Sequence, residues 1–172
     1  TAYAFQGGVK MAQSEILAKI ASYKTPYVCI TGGEPLAQKG CKSLLNALAA
    51  DFTVSLETSG AMDISGIDAR VIKVLDIKTP DSKEEKRNLF SNLQYLTKND
   101  QIKFVICSQD DYEWSKKLLQ EHQLPNITEV LFSPSHGQVK DSELADWIIA
   151  DQLPVRFQTQ LHKYLWGDEP GR

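Results

Sequence analysis

The chain has 172 residues, 42% of them hydrophobic, and a formal net charge of −3. That length suits one domain spanning residues 1–172 and burying about 70% of its unfolded surface. No apolar run approaches the roughly 20 residues of a membrane span, and neither a signal peptide nor a Lys/Arg stripe is evident, so no membrane and no nucleic acid is expected as a partner. Cys29, Cys41 and Cys107 are widely separated and odd in number. They suit buried thiols in a reducing cytoplasm better than a disulfide framework or a zinc site.

In chain order, Thr1 to Gly8 is an aromatic and small-residue loop, and Met11 to Tyr23 sets Met11, Ile16, Leu17 and Ile20 close to one helical face. Tyr27 to Thr31, rich in β-branched and aromatic residues, predicts a buried strand. It breaks into Gly32-Gly33-Glu34-Pro35, where two glycines admit a sharp turn and let a ligand approach the main chain. Lys42 to Ala50 predicts a helix buried through Leu44, Leu45 and Leu48, and Phe52 to Glu57 a second strand running into Thr58-Ser59-Gly60. After a linker at Ile64 to Ala69, Val71 to Ile77 is a third strand, followed by Lys78-Thr79-Pro80. The stretch from Ser82 to Thr97 is charged at first and then apolar at Leu89, Phe90, Leu93 and Leu96, with Ser82 and Glu85 at capping-box spacing. Ile102 to Cys107 is a fourth strand, Asp110 to His122 a helix, and Glu129 to Phe132 a fifth strand ending in Ser133-Pro134-Ser135-His136. A helix at Asp141 to Ala150 and a last strand at Val155 to Gln158 lead into Thr159 to Lys163.

Strands separated by intervals of this length predict a parallel sheet with right-handed crossovers. Six strands are too few for the eight-stranded barrel, so the expected fold is α/β: an incomplete (βα)6 partial TIM barrel, open along one side. The polar groups Thr31 to Glu34, Glu57 to Ser59, Asp76 to Lys78, Ser133 to His136 and Gln160 to His162 all follow carboxyl ends of strands and so share one rim. Backbone donors at Gly32 and Gly33 suit a carboxylate, Glu34 an ammonium, and Asp76 ribose hydroxyls, which are the groups of S-adenosylmethionine. A phosphorylated sugar or a plain amino acid fits the same residues.

Gly32-Gly33-Glu34-Pro35, Glu57-Thr58-Ser59-Gly60 and Gln160-Leu161-His162-Lys163-Tyr164-Leu165 together resemble the 7-carboxy-7-deazaguanine synthase family of the radical S-adenosylmethionine superfamily, and Thr1-Ala2-Tyr3-Ala4-Phe5 resembles the segment directly after the cluster motif there. The resemblance spans nearly the whole chain. It implies S-adenosylmethionine, a [4Fe–4S] cluster and Mg²⁺ as cofactors, with Thr1 as the metal ligand. It further implies cofactor contacts at Gly33, Glu34, Asp76, Ile77, Lys78, Ser133, Pro134, Ser135 and His136. Asp76 departs from the Ser-Pro-Lys often found at that triplet. Substrate contacts are implied at Thr31, His162 and Arg172, the tail from Trp166 to Arg172 closing over a pterin. The three cluster cysteines belong upstream of Thr1 and none of the three cysteines present has the spacing to replace them, so the chain as it stands is expected not to assemble the cluster.

The implied reaction is radical conversion of 6-carboxy-5,6,7,8-tetrahydropterin to 7-carboxy-7-deazaguanine with loss of ammonia, in queuosine biosynthesis. The resemblance also implies a cytoplasmic homodimer served by a flavodoxin-type or other reductant. An activating enzyme that plants a glycyl radical on a partner protein shares Gly-Gly-Glu-Pro, and a binding domain that holds a nucleoside without chemistry is a third alternative.

Overall fold

The computed structural model describes residues 8–167 and Glu169. Its centre is a six-stranded sheet in which β1 (Tyr27–Ile30), β2 (Thr53–Thr58), β3 (Ile72–Ile77), β4 (Gln101–Ile106), β5 (Glu129–Pro134) and β6 (Arg156–Phe157) lie side by side in chain order. Every neighbouring pair is parallel. Each strand therefore needs a crossover, and the carboxyl ends of all six fall on one rim. No helix is long and apolar enough to cross a membrane among the described residues.

The helices are α1 (Gln13–Ser22), α2 (Cys41–Leu48), α3 (Gln109–Glu121), α4 (Leu124–Ile127), α5 (Asp141–Ala150) and α6 (Leu161–Trp166). α2 buries Cys41, Leu45 and Leu48 at helical spacing, and these pack with Val54 and Leu56 of β2, Ile64 and Val71. Farther along, Tyr112, Leu118 and Leu119 of α3 and Leu144 and Ile148 of α5 pack on Leu75, Ile77, Ile102, Phe104, Ile106, Val130 and Phe132. Successive side chains on a strand alternate between faces, and register partners in a parallel pair share a face. Leu75 pairs with Ile102, Ile102 with Val130, and Phe104 with both Ile77 and Phe132, so all these strand residues line one side. α2, α3 and α5 thus cover a single apolar face of the sheet.

Two sequence expectations are corrected. The stretch 82–97 forms three separate 3₁₀ segments, Pro80–Ser82, Glu85–Arg87 and Phe90–Tyr95, rather than a helix. Lys83 takes a left-handed conformation (φ 60°), and Ser82 donates to the Thr79 carbonyl at 2.5 Å instead of capping a helix. Asn88 and Asn92 are meanwhile turned to hold neighbouring loops, which a continuous helix would prevent. The second correction concerns β1, which among the described residues is outermost in the sheet rather than buried: Tyr27 is 70% exposed and Cys29 is exposed, so of the cysteines only Cys41 is fully buried there.

One charged pair lies inside the apolar layer. Lys73 and Asp100, 2% and 1% exposed, meet at 3.0 Å, and the Asp100 carboxylate also accepts from the backbone of Lys73 (2.7 Å) and from the backbone and hydroxyl of Thr97 (2.6 and 3.0 Å).

Candidate functional site

The face of the sheet opposite α2, α3 and α5 has a different character. The register runs Cys29 with Ser55, Glu57 with Val74, Asp76 with Lys103, and Val105 with Ser133. One residue past the Phe132–Phe157 pair, Gln158 stands beside Ser133. Five consecutive strands, β2 to β6, thus bring Glu57, Asp76, Lys103, Ser133 and Gln158 to one side, Gln158 immediately after β6. Sequence reasoning found Glu57, Asp76 and Ser133 as members of loop clusters and missed Lys103 and Gln158. The available signal was a polar residue at alternate positions inside otherwise apolar strands, as in Val54-Ser55-Leu56-Glu57 and Ile102-Lys103-Phe104.

Three buried polar atoms without a hydrogen-bond partner sit on this face: Asp76 Oδ1, Ser133 Oγ and Gln158 Oε1. Ser133 has no exposed surface. Buried polar atoms are nearly always paired, so orphans gathered on one face mark acceptors and donors awaiting a ligand or water. Asp76 binds Lys78 through its other oxygen at 2.7 Å. Burial pushes the Glu57 carboxyl above the ordinary glutamate range, the Lys103 ammonium pulls it back, and the Asp76 carboxylate pushes it up again.

The rim itself is heavily braced. Gly32 and Gly33 both adopt positive φ (95° and 50°), the left-handed geometry that favours glycine, and turn the chain away from β1. The Glu34 carboxylate then crosses to the β2 rim. It accepts from the backbone of Leu36 (3.0 Å) and Ser59 (2.9 Å) and from the hydroxyls of Thr58 (2.9 Å) and Ser59 (2.5 Å). Four donors fill a carboxylate, so in this structure Glu34 straps two loops together. Asn88 brackets Lys78, accepting from its N–H at 2.9 Å and donating to its carbonyl at 2.8 Å. Asn92, fully buried, donates to the carbonyls of Gly60 and Met62 and accepts from Ile64 N–H. Asp111 at the start of α3 accepts from the backbone of Asp81 (3.0 Å) and Cys107 (3.1 Å), tying the β3 and β4 ends.

Among the residues predicted for the site, Gly33, Glu34, Asp76, Ile77, Lys78, Ser133, Pro134 and Ser135 all lie at this rim, with exposed Thr31 directly after β1. Ile77 and Pro134 are buried on the helix side, so only their main chain faces outward. The Ser135 hydroxyl meets Gln138 and its N–H donates to the Ile106 carbonyl. His136 borders a cavity of about 600 Å³ whose wall includes Lys140, Asp141, Lys163 and Tyr164 and none of Glu57, Asp76, Lys103, Ser133 or Gln158. His162 is exposed on α6, which Tyr164 tethers by donating to the Asp141 carboxylate; that carboxylate holds the phenol above its ordinary value. Thr1 and Arg172 lie outside the described residues. Among the described residues no three His, Cys, Asp or Glu side chains converge to hold a metal ion.

No family model matches the chain. Individual proteins do. A 7-carboxy-7-deazaguanine synthase of Chlorobaculum tepidum is 37% identical over 98% of this chain and 79% of its own length. Namesakes from Koribacter versatilis (37%, 97% and 81%) and Thermoplasma acidophilum (32%, 99% and 82%) match over similar spans. The crystal structure of QueE from Escherichia coli superposes with a TM-score of 0.68 at 21% identity, over 87% of this chain and 64% of that one, a likeness of fold.

Proposed function

The chain belongs to the 7-carboxy-7-deazaguanine synthase family, and from that premise we propose that it is a radical S-adenosylmethionine lyase converting 6-carboxy-5,6,7,8-tetrahydropterin to 7-carboxy-7-deazaguanine with loss of ammonia, toward queuosine and related 7-deazapurines. The polar face of the sheet is the observation that carries it at the level of this chain. A site for a heterocycle with several ring N–H groups needs convergent acceptors on a rigid surface, and Glu57 and Gln158 are such acceptors on one face of one sheet.

S-adenosylmethionine with a [4Fe–4S] cluster supplies, when bound, the one-electron chemistry that removes a hydrogen atom from the substrate. The residues present fit the nucleoside. The Gly32-Gly33 turn offers backbone at positive φ to its amino acid end, and Asp76 Oδ1 and Ser133 Oγ lack partners within the protein. In this reading the cluster cysteines precede Thr1, and the Thr1 hydroxyl binds the Mg²⁺ that holds the substrate carboxylate, a hard oxygen on a hard cation. The protein's own share is orientation and exclusion of water, which the bracing of the rim by Glu34, Asn88, Asn92 and Asp111 serves. We further read the sheet as an incomplete barrel, and the protein as a cytoplasmic homodimer reduced by a flavodoxin-type donor.

The test is anaerobic turnover by the full-length protein with reconstituted cluster, S-adenosylmethionine, dithionite and 6-carboxy-5,6,7,8-tetrahydropterin, read by mass spectrometry. Formation of 7-carboxy-7-deazaguanine is expected. A cluster-loaded protein that cleaves S-adenosylmethionine yet leaves the pterin unchanged overturns the assignment.

A further inference from the structure

Lys103 stands in the middle of the polar strip, on the third residue of β4, with Asp76 of β3 and Leu131 of β5 as its register partners. It is half-buried. Four other half-buried or buried lysines, Lys42, Lys73, Lys78 and Lys116, each have a carboxylate within 3.1 Å, and Lys163, also half-buried, is likewise partnered. Lys103 makes no hydrogen bond or ion pair among the described residues: Asp76, its register neighbour, binds Lys78 through one oxygen and keeps the other unpartnered, and Glu57 acts on Lys103 through charge without a hydrogen bond. A half-buried ammonium whose hydrogen-bond donors are all unused within the protein gains from a ligand that supplies an acceptor.

The rest of the strip narrows what that ligand group is. With Asp76 Oδ1 and Ser133 Oγ given to the nucleoside, Glu57 and Gln158 Oε1 remain as acceptors on the same face, on strands or strand ends to either side of Lys103. One cationic donor among several acceptors complements a 2-amino-4-oxopyrimidine edge, where a single exocyclic oxygen lies beside ring and amino N–H groups. We propose that Lys103 is a specificity-determining residue that donates to the C4 oxygen of the bound pterin and so fixes which way round the ring lies on the sheet. This rests on the pterin reading of the site.

The experiment uses the full-length protein and two fluorescent probes, 6-carboxypterin and 2,4-diaminopteridine-6-carboxylate, in which an amino group replaces the C4 oxygen. Wild type is expected to prefer the oxo compound. Lys103→Met, which keeps the apolar stem, should weaken 6-carboxypterin binding roughly tenfold to a hundredfold, the worth of one hydrogen bond to a charged group, and erase the preference between the probes. Lys103→Arg should restore most of both, and S-adenosylmethionine affinity should not change. Lys103→Gln serves equally if the Met variant melts early. Unchanged 6-carboxypterin affinity and preference in a folded Met or Gln variant overturns the proposal, as does a selective loss of S-adenosylmethionine binding, which would assign the ammonium to the nucleoside's carboxylate. Wild-type protein that binds neither probe overturns the pterin reading and this proposal together.

Discussion

Replacing Glu34 separates two roles for one carboxylate. Its Oε1 accepts from Leu36 N–H at 3.0 Å and the Thr58 hydroxyl at 2.9 Å, and its Oε2 from Ser59 N–H at 2.9 Å and the Ser59 hydroxyl at 2.5 Å. A hydrogen bond to a charged group contributes about 1.5–3 kcal/mol, but four on one side chain are not additive. Glu34 is half-buried, so water replaces part of what is lost, whereas Thr58 is 3% exposed and its hydroxyl stays dry. Glu34→Ala should therefore lower stability by about 2–4 kcal/mol. In Glu34→Gln the amide oxygen can keep Leu36 and Thr58, and the Ser59 hydroxyl can turn to accept, but the new NH₂ faces the Ser59 N–H. One donor is stranded, and the expected loss is about 1–2 kcal/mol. Urea midpoints at constant m-value give the two numbers, and hydrogen exchange at the Ser59 amide should accelerate in both variants. If Glu34 instead served only as counter-charge to an ammonium, both variants would keep wild-type midpoints within about 0.5 kcal/mol and lose only cofactor affinity, and that result would refute the strap.

Three further outcomes follow from the geometry. Asp100→Ala strands the buried Lys73 ammonium and should cost about 3–5 kcal/mol, read by chemical denaturation; a loss below about 1 kcal/mol would mean that water or the Val71 carbonyl suffices for Lys73. Gly60→Ala places a Cβ 3.3 Å from Leu75 Cδ1 at φ +72°, so a fall of about 1–2 kcal/mol is expected from the left-handed backbone, and an unchanged melting curve would contradict it. Glu57 is held above its unfolded value, so the folded protein keeps a proton that the unfolded chain releases. That contribution is full below the ordinary glutamate range and is lost as pH climbs through the raised value. Relative to Glu57→Gln, wild type should lose stability as pH climbs from that range to the raised value, and parallel stability curves for the two would rule this out.

All six strands were legible because their β-branched and aromatic runs are short and bounded by Gly, Pro or polar turns, and their parallel direction followed from crossovers too long for hairpins. The stretch 82–97 misled because Ser82 and Glu85 have capping-box spacing, while the decisive interactions are Asn88 with Lys78 and Asn92 with Gly60, Met62 and Ile64, partners up to 32 residues away in sequence. No local pattern encodes those. Glu34 read as a ligand for an ammonium because a carboxylate in a glycine turn is exposed by default; its four donors come from its own 3₁₀ turn and from β2, which only the fold brings close. Lys103 and Gln158 were invisible for a different reason. A polar residue at alternate strand positions is equally the mark of a solvent-facing sheet, and only the register shows that successive strands aim theirs at a common surface.

That distinction sorts the polar residues of the rim by what their atoms are already doing. Glu34, Asn88, Asn92 and Asp111 sit in loops or at a helix start and have their hydrogen-bonding capacity consumed by backbone groups of neighbouring loops. Asp76, Ser133 and Gln158 are borne on strands, or directly after one, and retain unpaired buried atoms. A ligand gains most from groups that are rigidly held yet unsatisfied, since it then restores lost hydrogen bonds without ordering anything new. In the proposed reading, side-chain recognition falls to the strand residues and rigidity to the side chains of the loops, while the Gly32-Gly33 loop contributes only backbone. The parallel sheet makes this workable: with α2, α3 and α5 packed on one face, the other face can turn a row of polar side chains toward the site while the apolar layer beneath holds each strand in place.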